Sequence, residues 1–197
     1  MTYLISPDTQ GLIFDFDGTI VDSMPMHYLS WRESFAHFNA DFPKDFFYET
    51  AGVTLPDIVS IYNQRYGTAL DAEVVVMNKE IAHAKYLLST PIIPEVMSVI
   101  EKYYDVVPMA IATGNSKKLT EPLIVKLGLK KYFKAIVYGE DVTNPKPDPE
   151  CFLKAASLLN VHASQCEVFE DGDAGLTGAR RAGMKAVDVR PWLNSRR

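Results

Sequence analysis

The chain has 197 residues, 47% of them hydrophobic, and a formal net charge of −5, enough apolar material for one real core or one domain with a modest insertion. The acidic balance, the lack of a long basic run and the absence of any stretch of ~18 apolar residues argue against nucleic acid and membrane as partners. With no charged start followed by an apolar signal core, a cytoplasmic protein is expected, a monomer by default.

The first element is Leu12-Ile-Phe14, a short apolar run that suits a buried parallel strand. It ends in Asp15 and Asp17, then Gly18 and Thr19. Side chains alternate along extended backbone, so both aspartates leave the strand end on the same side. Two carboxylates this close repel each other, and a cation or a catalytic task has to offset that. Ser23 and Pro25 mark a helix start, and Tyr28, Trp31, Phe35 and Phe38 follow at helical spacing. Further helices are predicted over 44–50, 56–66 and 71–88, with Gly52 and Gly67 as stops and Asp57 and Asp71 near starts. Residues 22–90 thus read as one helical block.

After Thr90-Pro91 helices and apolar strands alternate. A helix over 94–104 leads to a strand over Val106–Ala112, which ends at Thr113-Gly-Asn-Ser116. A helix to Leu127 carries Pro122 inside it, so a kink or a split is expected there. A strand over Ala135–Tyr138 precedes Lys146-Pro-Asp-Pro149, with Asp148 as N-cap of a helix to about Leu159. A strand over Glu167–Phe169 ends at Glu170-Asp171. A helix over Gly172–Ala182 and a strand over Ala186–Val189 complete the pattern. Such alternation predicts an α/β fold, a doubly wound and mostly parallel sheet. The core domain is expected over 1–21 and 91–197, with the helical block of 22–90 inserted after the first strand. Cys151 and Cys166 lack metal-ligand spacing and read as reduced core residues.

The chemistry-bearing residues fall at strand ends: Asp15, Asp17, Thr113, Lys146, Glu170 and Asp171. In a parallel sheet those ends share one edge, so they can converge. The set points to phosphoryl transfer. Four carboxylates suit a hard cation such as Mg²⁺, with substrate phosphate completing its shell. Lys146 offers a point charge to phosphate oxygens. Thr113, with the backbone N–H groups of Gly114 and Asn115, can donate to them. Asp15 can attack phosphorus, and Asp17 can protonate the leaving alcohol.

With these motifs the sequence resembles the haloacid dehalogenase-like hydrolases. The matching pieces are Asp15-Phe-Asp-Gly-Thr19, Thr113-Gly-Asn115, Lys146-Pro-Asp-Pro149 and Phe169-Glu-Asp-Gly-Asp-Ala-Gly175, followed by Ala179-Arg-Arg-Ala-Gly-Met184. The resemblance implies a Rossmann-like core with a small helical cap domain. It also implies Asp15 as nucleophile and Asp17 as acid/base. Mg²⁺ would be held by Asp15, the Asp17 backbone carbonyl and Asp171, with Glu170 a ligand or just behind one. Gly172 stands where many relatives have serine.

The helical block is similar to the cap of the beta-phosphoglucomutase and sugar-phosphatase branch. That likeness marks His27, Gly52 and Lys79 as substrate or cap residues. In the mutase an arginine follows the Gly52-Val-Thr54 loop and grips a second phosphate; here Leu55 stands there. Losing a bidentate clamp weakens a mutase more than a phosphatase. The expected activity is therefore Mg²⁺-dependent hydrolysis of a small phosphorylated metabolite, a sugar phosphate such as fructose 1-phosphate. Beta-phosphoglucomutase and, more weakly, phosphoglycolate phosphatase are the alternatives. Receiver domains of two-component signalling also place an aspartate, a threonine and a lysine at strand ends. An acid/base aspartate beside the nucleophile and a large helical insertion both oppose that reading.

Overall fold

The computed structural model of the chain describes residues 3–50 and 53–193. In chain order the elements are β1 (Gly11–Phe14), α1 (Met24–Ala36), α2 (Lys44–Glu49), α3 (Leu55–Tyr66), α4 (Ala72–Leu87), α5 (Pro94–Tyr103), β2 (Met109–Ala112) and α6 (Lys117–Lys126). There follow β3 (Ala135–Val137), α7 (Glu150–Leu159), β4 (Cys166–Glu170), α8 (Asp173–Arg181), β5 (Lys185–Asp188) and α9 (Arg190–Leu193). The described chain divides into two units. One runs to Asp22 and resumes at Pro91; the other is Ser23–Thr90.

The first unit is built on one five-stranded sheet in the order β3-β2-β1-β4-β5, every neighbour parallel. Successive strands step outward from β1 to β3, and the chain then returns to place β4 on the other side of β1. The switch therefore falls between β1 and β4, where open α/β sheets bind ligands at the carboxyl ends of their strands. β1, β2 and β4 are buried along their whole length; β1 and β2 are unbroken apolar runs, whereas β4 also buries Glu167 and Glu170. Ile13, Ala110 and Val168 pack with Phe152, Ala155 and Leu159 of α7 and with Ala179 of α8. Phe14 stacks on Phe169 at 4.6 Å and meets Phe133 edge-on, and Trp192 of α9 closes on Phe169.

Three local expectations need correction. β2 begins at Met109, not Val106; Val106 and Val107 lie in a turn whose N–H groups bond back to Tyr103. Their apolar character looked like strand, but Pro108 sits between them and the ladder. α6 is not split at Pro122. The proline falls in the second turn, where it removes a single ladder bond. α7 starts one residue later than expected, with Pro149 at the N-cap position, although Asp148 still accepts from the Glu150 N–H at 3.0 Å.

Glu167 ties the N-terminal segment to the sheet. It is 1% exposed and accepts from Tyr3 Oη at 2.6 Å, the Ser6 N–H at 2.6 Å, Thr9 Oγ1 at 2.7 Å and Lys185 Nζ at 3.1 Å. Burial works to raise its carboxyl, but these donors outweigh it and hold it below the ordinary 4.5. The clasp therefore contributes stability above pH 4.5, which is lost as pH falls through the depressed folded value. Glu167→Gln is expected to cost about 2 kcal/mol near neutral pH, read from urea denaturation. The gap to the parent protein should close in acid; a gap unchanged by pH would show that the carboxylate charge is not what holds the segment.

The second unit is a helical bundle with an aromatic core. Trp31, Phe35, Phe42, Phe46 and Tyr62 are its centre. Ring contacts such as Phe35 to Phe42 at 4.7 Å and Phe35 to Tyr62 at 4.4 Å join α1, α3 and the segment before α2. Ser34 Oγ donates to the Val75 carbonyl at 2.6 Å, tying α1 to α4. Asp71 caps α4 by accepting from the N–H groups of Glu73 and Val74. Gly67 ends α3 with φ of 66°.

Candidate active site

The carboxyl ends of β1, β2 and β4, together with the loop before α7, form one cavity of about 340 Å³. Asp15, Asp17, Thr113, Gly114, Asn115, Lys146, Glu170 and Asp171 all line it. These eight residues come from four separate stretches of sequence and are brought together in the first unit.

Lys146 is the hinge of the electrostatics. Its Nζ donates to Asp15 Oδ1 at 2.6 Å, to Glu170 Oε1 at 2.8 Å and to the Ala112 carbonyl at 3.1 Å. Burial pulls the ammonium down, but Asp15 and Glu170 outweigh that and hold it above its ordinary value. Burial pushes Asp15 up to about 8; Lys146 opposes the shift, while Glu170 and Asp171 add to it. One lysine thus does not neutralise the carboxylates gathered here.

Oxygens of Asp15, Glu170 and Asp171 lie within 4.8 Å of one another. Hard divalent cations take such all-oxygen sets, and the surplus negative charge favours one. The donor set therefore fits a metal ion. Glu170 is already engaged on both oxygens, with Oε2 accepting the Gly172 N–H at 2.6 Å. Asp171 Oδ1 accepts from Thr19 Oγ1 at 3.2 Å.

Two glycines permit this closeness. Gly18 has φ of 82°, and a Cβ there would collide with the Asp171 carboxylate. A Cβ on Gly175, in the first turn of α8, would collide with Glu170. Both positions let backbone approach a carboxylate where a side chain could not fit.

Asn115 makes two hydrogen bonds within the site. Its backbone N–H donates to Thr113 Oγ1 at 3.1 Å, and its side-chain Nδ2 donates to Asp17 Oδ2 at 2.7 Å. The backbone group meets Thr113, and the side chain holds the Asp17 carboxylate. The sequence reading also missed Thr19 and Gly175. The Asp-Gly-Thr and Asp-Ala-Gly spellings were the signals available for them.

His27 and Lys79 lie in the helical unit. Lys79 is 3% exposed, with Nζ 2.8 Å from Glu80 Oε1. The His27 ring stacks on His83 at 4.2 Å, a partner the sequence did not announce. Burial, then His83 and Lys79, press His27 down to about 3, so it is neutral near pH 7. Gly52 lies outside the described residues.

An open parallel sheet with two aspartates after its first strand, a threonine after its second and an acidic pair at the end of its fourth is the frame of this site, and the class it falls in is a hydrolase. The chain is a member of the haloacid dehalogenase-like hydrolase family, whose sequence model matches residues 12–189. It is 36% identical to the fructose-1-phosphate phosphatase YqaB of Escherichia coli over 91% of this chain and 96% of that one. It is 27% identical to the beta-phosphoglucomutase of Bacillus subtilis, over 91% of this chain and 83% of that protein. The crystal structure of beta-phosphoglucomutase from Clostridium difficile superposes with a TM-score of 0.69 at 23% identity, covering 91% of this chain and 84% of that one, a likeness of fold.

Proposed function

We propose that the protein is a Mg²⁺-dependent phosphatase that hydrolyses a small sugar phosphate, fructose 1-phosphate or a close analogue, through an aspartyl-phosphate. The observation that carries this reading is the bridge from Lys146 to both Asp15 and Glu170, in a cavity shared with Thr113 and Asp17. The likeness to a fructose-1-phosphate phosphatase supports the substrate class. Leu55, at the position of the mutase arginine, favours hydrolysis over phosphate relocation.

In this scheme Lys146 and Thr113 hold the phosphoryl oxygens, and Asp15 Oδ attacks phosphorus as the ester bond breaks. Asp17, steered by Asn115, gives its proton to the departing sugar oxygen. It then takes a proton from the water that cleaves the aspartyl-phosphate, releasing inorganic phosphate and restoring Asp15. Asp15, the Asp17 carbonyl and Asp171 would hold the Mg²⁺, with Glu170, whose Oε2 accepts the Gly172 N–H, fixing the loop behind them. When bound, Mg²⁺ offsets the carboxylates and the phosphate dianion so that they can approach. His27, Lys79 and Gly52 of the helical cap are assigned to substrate choice.

The test is product analysis with Mg²⁺ on fructose 1-phosphate and on beta-glucose 1-phosphate with a trace of glucose bisphosphate. Free phosphate is the expected product. Glucose 6-phosphate without free phosphate would instead establish the mutase, the reading favoured by the Bacillus subtilis relative. Activity that survives a chelator would remove the metal from the scheme.

Asp17→Asn supplies a separate check. It is expected to slow turnover by about 10²- to 10⁴-fold and to let phospho-enzyme accumulate, visible by intact-mass measurement. Normal turnover would sink the acid/base role.

A further inference from the structure

α4 is apolar on two opposite faces. The inner face, with Val75 and Ala82, packs into its own unit. The outer face carries Val74, Met77, Ile81 and Ala84, and Leu88 at the C-cap continues the line, at alternating steps of three and four residues. Val74 is 39% exposed, Met77 55%, Ile81 66% and Leu88 43%, and Ala84 is exposed too. A surface helix normally turns one apolar stripe to the core and shows water a polar one. Here the outward stripe follows a heptad, with Val74, Ile81 and Leu88 at one seam position and Met77 and Ala84 at the other. That is the spacing of a helix seam meeting another helix, and β-branched residues at the first position favour two strands.

The flanks say which helix. Glu73 and Glu80 border the stripe on one side, Asn78 and Lys85 on the other. Where two copies of α4 run parallel about a two-fold axis, Glu80 of each falls beside Lys85 of the other. An antiparallel pairing centred on Ile81 would set Glu80 against Glu80. Both charges are outward enough to act: the Glu80 side chain is 45% exposed while it touches Lys79, and Lys85 is 63% exposed while its Nζ rests on Glu33.

We propose that the outer face of α4 is a self-association surface, on which two copies of this chain pair with parallel α4 helices along the Val74–Leu88 seam. Five side chains make a narrow stripe, so the dimer should be weak and concentration-dependent. This inference is independent of the proposed activity.

Sedimentation velocity from low-micromolar to millimolar protein tests it. A monomer–dimer equilibrium is expected in the parent chain. Ile81→Glu should weaken it by more than tenfold, and its thermal melt, followed by circular dichroism, should match the parent because the side chain is outward. Glu80→Lys and Lys85→Glu should each weaken association a few-fold, and the combined exchange should restore it. Oxidation of a Val74→Cys variant should trap a disulfide dimer, since only the parallel arrangement sets the two positions side by side. A chain that stays monomeric at millimolar concentration would overturn the proposal, and so would a dimer indifferent to Ile81→Glu. A dimer that Val74→Cys fails to trap would overturn the parallel arrangement.

Discussion

Asp15→Asn is expected to abolish turnover, a loss of about 10⁴-fold or more, while making the metal-free protein more stable. The first half follows from chemistry: an amide oxygen is too poor a nucleophile to form the aspartyl-phosphate. The second half follows from burial. Asp15 is 7% exposed, and its carboxyl is raised from 3.8 to about 8 chiefly by loss of solvent. A carboxyl whose folded value lies above its unfolded value binds its proton more tightly in the folded state. Its ionisation therefore takes stability away as pH rises from about 4 to about 8. Lys146 stays protonated throughout that window because its own value is raised. Asn removes the titration. Thermal melts in chelator should show the variant above the parent, by a margin that grows with pH across the window. Added Mg²⁺ should narrow the margin, since a bound cation offsets the carboxylate that Asn lacks. Retained turnover would remove Asp15 as nucleophile. A margin that does not change with pH would show that the carboxylate is not strained.

Much of this centre was legible in the chain because its parts are short and local. An apolar run ending in Asp15 and Asp17 reads as a strand end whatever surrounds it, and Lys146 next to Pro147 reads as a loop before a helix. Parallel topology then requires such ends to share an edge. What escaped the sequence depends on tertiary approach. That the Asn115 side chain turns to Asp17, and its N–H to Thr113, follows from how the loop after β2 meets the loop after β1. The Thr19 to Asp171 bond spans two strands in the same way. His83 is one residue of a helix until packing sets its ring on His27. The overlong β2 failed for a different reason. Val106 and Val107 have strand-forming side chains, yet both N–H groups are claimed by Tyr103, so no ladder can start there.

Lys146→Met should strike catalysis and folding together, and the two losses can be separated. Its Nζ is the buried counter-charge of Asp15 and Glu170, and its side chain is only 14% exposed. Removing one donor that grips a developing phosphoryl charge costs about 10²- to 10³-fold in rate. The same change leaves two carboxylates facing each other without their cation. Breaking a buried pair from one side costs about 3–5 kcal/mol, so urea denaturation in chelator should show its largest drop on the alkaline side of pH 8. Lowering the pH should return part of that stability, because Asp15, already raised to about 8 with its lysine present, takes up a proton and the repulsion goes. A second substitution, Asp15→Asn, should also return it without restoring any turnover. The double variant is then more stable than Lys146→Met alone, and the two effects are far from additive, as expected for groups in direct contact. Turnover within tenfold of the parent would mean that Lys146 does not hold the transferred group. Loss of turnover with no loss of stability would mean that other donors already satisfy Asp15 and Glu170, and that Lys146 serves the substrate alone.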